Sequence, residues 1–308
     1  MRLGITGGAG FIGSNLATRA VAGKFDVVVL DNLETGRIEN IESLPIKFLQ
    51  GDLCDEEAVE KFVNQCDAVV HLGALGSIPR SIANPRKSFE ANTVGTLNVL
   101  EKLKDSKKMM IFSSSSSVYG RNVKQPKDEL DWLAPISPYA ASKLSAESLV
   151  FSYQNAFGIP STVFRFFNVF GPGQRAEHVY SAVIPRWALA AFKKEPILVF
   201  GDGRQSRDFT YIGDVCDVIL EAVKIKSNSP DPINLAFGNS VTLLDLLELF
   251  RKYFGNIDVQ FHQARPGDVR NSSADPTRLL SKMGKRKPIS LEKALSQTFE
   301  WIGKEYGF

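Results

Sequence analysis

Short apolar runs alternate with longer amphipathic stretches through the first half of the chain. The runs begin with Leu3 and Ile5, and others lie at 27–30, 46–49, 68–72 and 109–112. A continuous apolar run of this length is typical of a strand buried on both faces. Helices are predicted between the runs, from about Ser14 and over 56–64, 85–103 and 137–157. The pattern predicts an α/β fold built on a doubly wound parallel sheet with helices on both faces.

The second half of the chain, from about Phe166, has shorter elements. Helix-like stretches are found at 183–193, 215–224, 243–253 and 291–303, with short strands at 197–200, 233–236 and 259–262. This pattern predicts a smaller C-terminal α/β lobe that binds substrate, with some segments returning to the first domain. We place the division between 1–165 and 166–308, although no Pro/Gly/Ser-rich tether marks it.

The turn after the first predicted strand is rich in glycine. Gly7, Gly8, Gly10 and Gly13 precede a helix, and Asp31 ends the second run. Glycine lets the backbone approach a pyrophosphate, and the helix presents free N–H groups and a positive dipole end. A carboxylate at this position accepts both ribose hydroxyls of an adenosine and repels a 2′-phosphate. The stretch predicts a Rossmann domain that binds NAD rather than NADP; the alternative is a turn that only packs a helix on a strand.

Composition describes an ordinary globular protein. The chain has 308 residues, 44% of them hydrophobic, with 37 Lys and Arg against 34 Asp and Glu. Because this balance leaves no basic stripe, we expect neither nucleic acid nor an anionic membrane as partner. Cys54, Cys66 and Cys216 lack metal-ligand spacing, so we expect no metal and assign them as small buried hydrophobic residues. No signal peptide or membrane-spanning run is recognisable, which favours the cytoplasm.

Tyr139 and Lys143 are the strongest candidates for chemistry. Their spacing of four places both side chains on one face of the predicted helix. An ammonium near a phenol lowers the phenol pKa and makes it a usable base. Spacing alone favours a chance pair on an amphipathic helix. The serine run 113–117 at the end of the preceding strand and the glycine turn upstream reverse that preference.

Three further polar residues lie near predicted strand ends. Asp52 is expected to cap the helix over 56–64, and its position also places it near an adenine. His71, inside an apolar run, is interpreted as a packed, hydrogen-bonded histidine rather than a base. Asn92 lies in the middle of the predicted helix 85–103, where a neighbouring loop is the favoured partner for its side chain.

Several segments together resemble a known family. They come in family order and cover nearly the whole chain: TGGAGFIG, DNLETGR, GDL, HLGA, SSSSSVYG, SPYAASK, RFFNVFGPGQ, GDGRQSRDFTYIGDV and RPGDVR. The sequence resembles the extended short-chain dehydrogenase/reductases, and among them the NAD-dependent UDP-sugar 4-epimerases of UDP-glucose/UDP-galactose type. Gly73 in HLGA stands where relatives usually have alanine, a small change that should not prevent cofactor binding.

The resemblance implies roles for individual residues. Tyr139 would be the catalytic base, Lys143 would lower its pKa and hold the nicotinamide ribose, and Ser115 would hydrogen-bond the sugar hydroxyl. The implied cofactor-binding residues are Gly7, Gly10, Phe11, Ile12, Gly13, Asp31, Asn32, Thr35, Gly36, Asp52, Leu53, Leu72, Gly73, Ala74, Asn92, Ser113, Tyr139, Lys143 and Phe166. The implied substrate-binding residues are Ser115, Ser116, Tyr139, Asn168, Val183, Val199, Arg207, Arg265, Asp268 and Ser272.

Some of these roles have alternatives. Asn168 and Arg207 would bind the substrate diphosphate, which suits fork-shaped cationic donors. Arg207 could instead pair with Asp208 or Asp214. Arg265 and Asp268 would hold the nucleoside end, but Asp268 could simply form a turn.

The implied reaction transfers hydride from C4 of the sugar to NAD and returns it to the opposite face, without net redox. Related dehydratases have an Asp-Glu pair, and UDP-glucuronate decarboxylases a Glu, where this chain has Ser116 and Ser117. This difference argues against both reactions. Segments 75–81 and 265–275 look most like the branch that accepts UDP-N-acetylhexosamines, and Ser272 stands where a bulky residue restricts the pocket of relatives confined to glucose and galactose.

Other interpretations remain open. The fold could belong to an NAD-binding regulatory protein, which would not need Tyr139, Lys143 and Ser115 together. It could also belong to a sugar-nucleotide oxidoreductase that releases reduced cofactor, or to a UDP-glucuronate 4-epimerase, whose close members tend to have Thr at the position of Asn168. The family also implies a homodimer formed through helices 85–103 and 140–157.

Overall fold

The computed structural model describes residues 1–176, 182–264, 270–284 and 286–308. The chain forms two compact units. Unit 1 comprises Met1–Asn122, Glu129–Phe166 and Cys216–Asn234, and unit 2 comprises Val123–Asp128, Phe167–Val215 and Leu235–Phe308. The functional division between 1–165 and 166–308 stays a prediction.

The strands and helices are named here in chain order. The strands are Arg2–Thr6 (β1), Asp26–Asp31 (β2), Lys47–Gln50 (β3), Ala68–His71 (β4), Met109–Ser115 (β5), Ser161–Phe166 (β6), Val169–Phe170 (β7), Ile197–Phe200 (β8), Ser206–Asp208 (β9), Thr210–Tyr211 (β10), Ile233–Leu235 (β11), Ser240–Thr242 (β12) and Val259–His262 (β13). The α-helices are Phe11–Ala22 (α1), Glu56–Asn64 (α2), Ile78–Ala83 (α3), Pro85–Phe89 (α4), Gly95–Leu103 (α5), Pro138–Phe157 (α6), Val183–Phe192 (α7), Ile212–Lys224 (α8), Leu243–Phe254 (α9), Thr277–Met283 (α10) and Leu291–Tyr306 (α11). No helix within the described ranges has the length and apolar character needed to cross a membrane.

Unit 1 is built on a seven-stranded sheet in the order β3-β2-β1-β4-β5-β6-β11. The pairings among β1 to β6 are all parallel. The order reverses beside β1, which is the doubly wound arrangement that places ligands at the carboxyl ends of the strands. The predicted fold class is therefore confirmed. The core on one side of the sheet is formed by fully buried side chains such as Phe62, Val99, Phe112 and Val163.

Several predicted elements differ from the structure. The predicted strand 109–112 continues to Ser115, because the first three serines stay in register with β6. The predicted helix 85–103 is interrupted by a π-helical segment, Glu90–Val94, between α4 and α5. Strand β6 was not predicted, because its polar Ser161, Thr162 and Arg165 obscure the apolar pattern. Of the cysteines, Cys66 and Cys216 are buried as expected, whereas Cys54 is exposed.

The described part of unit 2 contains three two-stranded sheets. β7 pairs with β10 and β8 with β13 in parallel, and β9 pairs with β12 in antiparallel orientation. Its core is aromatic. The ring of Phe250 lies 5.7 Å from that of Trp187 and 4.7 Å from that of Phe299, both edge-on. These contacts hold α7, α9 and α11 together behind the short sheets.

Candidate active site

The glycine turn has the geometry expected of a phosphate cradle. Gly7 has a φ of +67°, and a Cβ added at Gly13 would lie 2.2 Å from the Gly7 carbonyl oxygen. Helix α1 begins at Phe11, three residues before the prediction, and Gly10 caps it without a side-chain hydrogen bond. The first turn contains no acidic residue. No carboxylate in the first turn therefore opposes the positive end of the helix dipole, and the start of α1 favours binding of an anion.

Asp31 lies at the end of β2 beside this turn. Its Oδ2 accepts a hydrogen bond from Ala9 N at 2.9 Å, and its Oδ1 accepts one from Leu33 N at 2.8 Å. Each carboxylate oxygen has a second lone pair, so the group can still accept ribose hydroxyls. A Cβ added at position 36 would lie 3.0 Å from Asp31 Oδ1. Because Gly36 has no side chain, the space beside the carboxylate stays open. The glycine cradle and this carboxylate fit an NAD adenosine diphosphate.

Asp52 does not cap α2, contrary to the prediction. The cap is Asp55, whose side chain accepts hydrogen bonds from Glu57 N and Ala58 N. Asp52 instead accepts from Cys54 N at 2.8 Å and from Asn32 Nδ2 at 2.6 Å. The helix starts one residue after Asp55, so the carboxylate at position 52 is one turn too early for its free N–H groups. Asp52 and Asn32 therefore bridge the ends of β2 and β3 at the edge predicted for the adenine.

A buried hydrogen-bond chain runs behind the end of β4. His71 Nδ1 is 2.6 Å from Thr6 Oγ1, and His71 Nε2 is 3.0 Å from Thr96 Oγ1. Thr6 Oγ1 also accepts from the backbone N–H groups of Leu72 and Gly73. Burial and, to a smaller extent, the charge of Lys143 lower the pKa of His71 to about 3. His71 is thus the packed, neutral histidine that the sequence predicted.

Asn92 lies in the π-helical segment, a deformation that frequently marks functional positions. Its Oδ1 accepts from Leu75 N at 2.7 Å, and its Nδ2 donates to Ser142 Oγ at 2.9 Å. The predicted loop partner is confirmed for this side chain. Through Ser142, Asn92 also reaches the helix that carries Tyr139, because Ser142 Oγ donates to the Tyr139 carbonyl at 2.8 Å.

The predicted catalytic residues meet at the carboxyl end of β5. Tyr139 and Ser115, both half-buried, are neighbours, and hydrogen bonding by the Ser115 side chain acts to lower the pKa of Tyr139. Lys143 follows one turn later on α6 and is only 3% exposed. Its Nζ lies 4.8 Å from the centre of the Phe112 ring, a cation–π contact. Ser115, Tyr139 and Lys143 therefore form one cluster.

The ionisation of this cluster differs from the prediction. Burial raises the pKa of Tyr139, and the hydrogen bond from Ser115 only partly opposes that effect. Burial lowers the pKa of Lys143 to about 7, against the opposing charge of Glu147. The Lys143 ammonium lies over Phe112 instead of against the phenol, so spacing alone overestimated its effect on Tyr139.

The other predicted cofactor residues in unit 1 line the same edge of the sheet. Ser113 Oγ donates to the His71 carbonyl at 3.1 Å, and Phe166 ends β6 opposite Ser115. Leu53 packs beneath the loop after β4, where a Cβ at Gly73 would lie 2.7 Å from its Cδ1. Phe11 and Ile12 form the first turn of α1, Thr35 is exposed, and Ala74 follows Gly73. All of them follow or end strands of one parallel sheet.

Three predicted substrate residues lie together in unit 2. Asn168 has a φ of +24°, a conformation that costs energy for a residue with a Cβ, and its Nδ2 donates to the Asp208 carbonyl at 3.2 Å. Arg207, on β9, donates from Nη1 to the carbonyls of Ser206 and Arg270. Ser272 N donates to the Ser206 carbonyl at 3.0 Å. The described hydrogen bonds thus connect Arg207 to backbone carbonyls, while Asp208 accepts from Gly238 N and Ala274 N.

The remaining substrate predictions have different outcomes. Val183 is the first residue of α7 and is half-buried. Val199 is 0% exposed and belongs to the core of unit 2, and its role in substrate binding stays a prediction. Arg265 and Asp268 lie outside the described residues.

Sequence reasoning missed two buried charged residues beside the cluster, Glu147 and Arg165. Glu147 is four residues after Lys143 on α6, and Arg165 is on β6. The available signal was the spacing of four that places Glu147 on the same helix face as Tyr139 and Lys143, among the buried Ala146 and Val150. Among the described residues, no three His, Cys, Asp or Glu side chains are grouped so as to hold a metal ion.

Comparison with known proteins places this geometry in context. The NAD dependent epimerase/dehydratase family model matches residues 3–236. A UDP-N-acetylglucosamine 4-epimerase from Methanobrevibacter ruminantium, solved with UDP-N-acetylmuramic acid, is 35% identical, with a TM-score of 0.93 and coverage of 99% of this chain and 98% of that chain. A UDP-glucose 4-epimerase from Thermotoga maritima, solved with UDP-glucose, is 32% identical, with a TM-score of 0.92 and coverage of 99% and 100%.

Relatives with other activities are also similar. A UDP-N-acetyl-alpha-D-glucosaminuronate decarboxylase from Bacillus cytotoxicus is 31% identical over 312 residues, covering 97% of this chain and 96% of its own length. UDP-glucuronate 4-epimerases match as well. Overall similarity therefore does not separate these reactions, and the residues of the site must do so.

Proposed function

The chain belongs to the NAD-dependent epimerase/dehydratase family, and on that basis we propose that it is a UDP-hexose 4-epimerase. The observation that carries the proposal is the proximity of the Ser115 and Tyr139 side chains, with Lys143 one turn along the same helix. This cluster lies at the strand ends where the family's cofactor binds. A regulatory protein that only bound NAD would not need it.

Each residue of the cluster has one task in the proposed reaction. Tyr139 accepts the proton of the sugar 4-hydroxyl and later returns it. Ser115 hydrogen-bonds the same hydroxyl and fixes its orientation. Lys143, buried one turn along the helix, favours in its charged form the Tyr139 phenolate that accepts this proton, and it would hold the nicotinamide ribose. When bound, NAD supplies the acceptor for the hydride that leaves C4 and its source for the return to the opposite face.

Positions 116 and 117 argue against elimination or decarboxylation. Ser116 and Ser117 form a 3₁₀ turn after β5, and Ser117 Oγ donates to Ser115 Oγ at 2.9 Å. A serine hydroxyl is too weak an acid to protonate a leaving group as a carboxylic acid does. The turn therefore helps to orient Ser115 and does not supply a second catalytic acid.

The small side chain of Ser272 favours the proposal that the substrate carries an N-acetyl group. Its backbone is held by Ser206 and by Ser240, whose Oγ donates to the Ser272 carbonyl at 3.1 Å. With its position fixed on both sides, its small side chain would leave room for an acetamido group. We therefore propose UDP-GlcNAc and UDP-GalNAc as substrates alongside or instead of UDP-glucose and UDP-galactose.

The experiment compares substrates in wild-type protein and Ser272→Tyr, with the exposed Ser281→Tyr as control. UDP-galactose, UDP-GalNAc and UDP-glucuronate are each incubated with protein and NAD, and the C4 epimers are quantified. We expect wild-type turnover of UDP-GalNAc and its loss in Ser272→Tyr alone. Undiminished UDP-GalNAc turnover in Ser272→Tyr would refute the pocket argument, and turnover of UDP-glucuronate alone would favour the uronate epimerase.

A further inference from the structure

A buried ion pair lies one helical turn beyond Lys143. Arg165 Nη2 is 2.6 Å from Glu147 Oε1, and the two side chains are only 3% and 4% exposed. Arg165 Nε also donates to Glu147 Oε2 at 3.2 Å, so the contact is bidentate. Replacing such a pair by apolar residues is often neutral or stabilising, because burying two charges is costly. Stability alone therefore does not account for charges at this place.

The contacts of Glu147 fix the register of α6 on β5. Ser114 Oγ donates to Glu147 Oε2 at 2.6 Å, and Ser114 lies directly opposite Arg165 in the sheet. Two residues earlier on the same face of β5, the Phe112 ring lies against Lys143 Nζ. Helix α6 leads from the end of β5 back to the start of the parallel strand β6, so it runs antiparallel to β5. A slip of the helix along the strand would break both contacts.

This register decides the distance between the reacting groups. Ser115 is the residue after Ser114, and Tyr139 precedes Lys143 by one turn. Glu147 ties α6 to β5 at Ser114, so a slip of the helix along the strand would also move Tyr139 away from Ser115. A shift of about 1 Å at such a place costs orders of magnitude in rate.

Arg165 extends the same network to the turn after Ser115. Its Nη1 donates to Tyr119 Oη at 3.0 Å and to the Glu129 carbonyl at 3.1 Å. Tyr119 Oη donates in turn to Asn234 Oδ1 at 2.7 Å. The turn from Ser116 to Tyr119 is thus held from below by the same guanidinium that binds Glu147.

Glu147 also affects the charge of Lys143. The groups facing Lys143 are His71 on β4, Tyr139 and Glu147 on α6, and Arg165 beyond Glu147 on β6. His71 is neutral, and Tyr139 is neutral until it loses its proton. Burial pulls the pKa of Lys143 down to about 7, and the negative charge of Glu147 opposes this.

We propose that Glu147, held by Ser114 and Arg165, is a positioning residue that sets the register of the catalytic helix against β5. The proposal rests on the proposed function for its kinetic consequences. Glu147 contacts no reacting atom and acts through Lys143 and Tyr139.

The test compares Glu147→Gln with Ser114→Ala. Glu147→Gln keeps the size of the side chain but removes its charge, so we expect the alkaline limb of the kcat profile to move about 1 pH unit toward acid. At neutral pH, kcat should fall at least about tenfold, with KM for the UDP-sugar changed less than about threefold. Ser114→Ala keeps the charge, so the limb should stay in place while kcat falls about fivefold, the equivalent of one hydrogen bond.

The matched control is Glu248→Gln, which neutralises an exposed Glu–Arg pair on α9 in the same way. It should leave kcat and the pH profile unchanged. A folded Glu147→Gln protein with the wild-type pH profile and kcat would overturn the proposal. If Glu147→Gln does not fold, wild-type kcat in both Ser114→Ala and Glu147→Asp would overturn it, whereas reduced kcat with unchanged KM in both would support it.

A second readout does not depend on activity. The ionisation of Lys143 is followed by NMR of labelled lysine in the cofactor-free protein, and Lys143→Met identifies its signal. We expect the Lys143 midpoint to fall in Glu147→Gln and to remain in place in Ser114→Ala and Glu248→Gln. An unmoved midpoint contradicts the charge argument. A wild-type protein inactive on every UDP-sugar, but with the expected midpoints, would contradict only the proposed function.

Discussion

The two units present their candidate functional residues in different ways. In unit 1, Lys143, Glu147 and Arg165 are buried at the end of a seven-stranded sheet, and the last two form an ion pair. In unit 2, Arg207 and Ser272 are half-buried on a two-stranded sheet and an adjoining segment held mainly by backbone hydrogen bonds. A rigid, layered scaffold suits groups that must meet a reacting atom with sub-ångström precision. Short sheets and connecting segments suit recognition, because side chains there can change without disturbing a core.

This difference makes a kinetic prediction for each unit. Changes in the cluster of unit 1 should reduce kcat, and changes at the candidate residues of unit 2 should raise KM or alter the choice of sugar. A substitution in the cluster of unit 1 that changed only KM, or one in unit 2 that changed only kcat, would contradict this comparison. The predictions below follow in order of expected effect.

The largest effect is expected from Tyr139→Phe. Removing the hydroxyl that exchanges the proton should lower kcat about 10³-fold, within the range of general acid–base catalysis. The measurement is steady-state turnover of the preferred UDP-sugar. Tyr153→Phe on the same helix removes a hydroxyl that donates to Glu101, and its kcat should remain close to wild type. A Tyr139→Phe enzyme with more than about a tenth of wild-type kcat would remove Tyr139 from the mechanism.

The next effect is expected from Arg207→Ala. Loss of a hydrogen-bonding charge at a diphosphate should raise KM about 10- to 100-fold, with kcat within about threefold of wild type. Arg207→Lys should recover only part of the affinity, because it lacks the planar fork. Arg251→Ala on the exposed face of α9 serves as the control. A fall in kcat at unchanged KM would show that the division between the units does not hold.

The smallest effects concern stability, and the two units should respond to pH with opposite signs. The folded-state pKa of His71 is about 3 against an ordinary 6.5, because burial disfavours the charged ring. Its contribution to stability is present above 6.5 and is lost as the pH falls, by about 2 kcal/mol between pH 7 and 5. Burial raises the pKa of Asp208 to about 6 from 3.8, although backbone N–H groups oppose it. Its contribution is present below 3.8 and is lost as the pH rises through 6.

Urea denaturation of wild type, His71→Gln and Asp208→Asn near pH 7 and pH 5 tests both signs. The loss of stability on acidification should be smaller than wild type in His71→Gln and larger in Asp208→Asn, by about 2 and about 1 kcal/mol. The difference between the two pH values is the relevant quantity, since each substitution also removes hydrogen bonds. Two variants that shifted this difference in the same direction would contradict the assignment.

Much of the fold was predictable because it depends on local patterns. The apolar runs at 27–30 and 68–72 and the glycines near Gly7 identify a parallel sheet and a cofactor turn without tertiary information. Tyr139 and Lys143 were identified as candidates by their spacing together with the serine run 113–117 and the glycine turn, because spacing alone favours a chance pair. The likeness of nine segments to one family added the roles of Ser115 and Arg207, which no spacing rule provides.

What could not be predicted depends on contacts between distant segments. Strand β6 has a polar pattern because Thr162 bonds Ser227 and Arg165 bonds Glu147, partners that only the fold brings near. The π-helical segment forms where Asn92 reaches both Leu75 and Ser142. The position of the Lys143 ammonium over Phe112 is likewise a tertiary fact, and it overturned the expected effect on the Tyr139 pKa.

The central claim is that the hydride leaves C4 and returns to it within one site. The most direct measurement follows a UDP-hexose that carries deuterium at C4, incubated with the protein in ordinary water. We predict that the deuterium stays at C4 in both epimers at equilibrium, with no accumulation of reduced nicotinamide. Loss of the deuterium to solvent, or a steady release of reduced cofactor, would contradict the account.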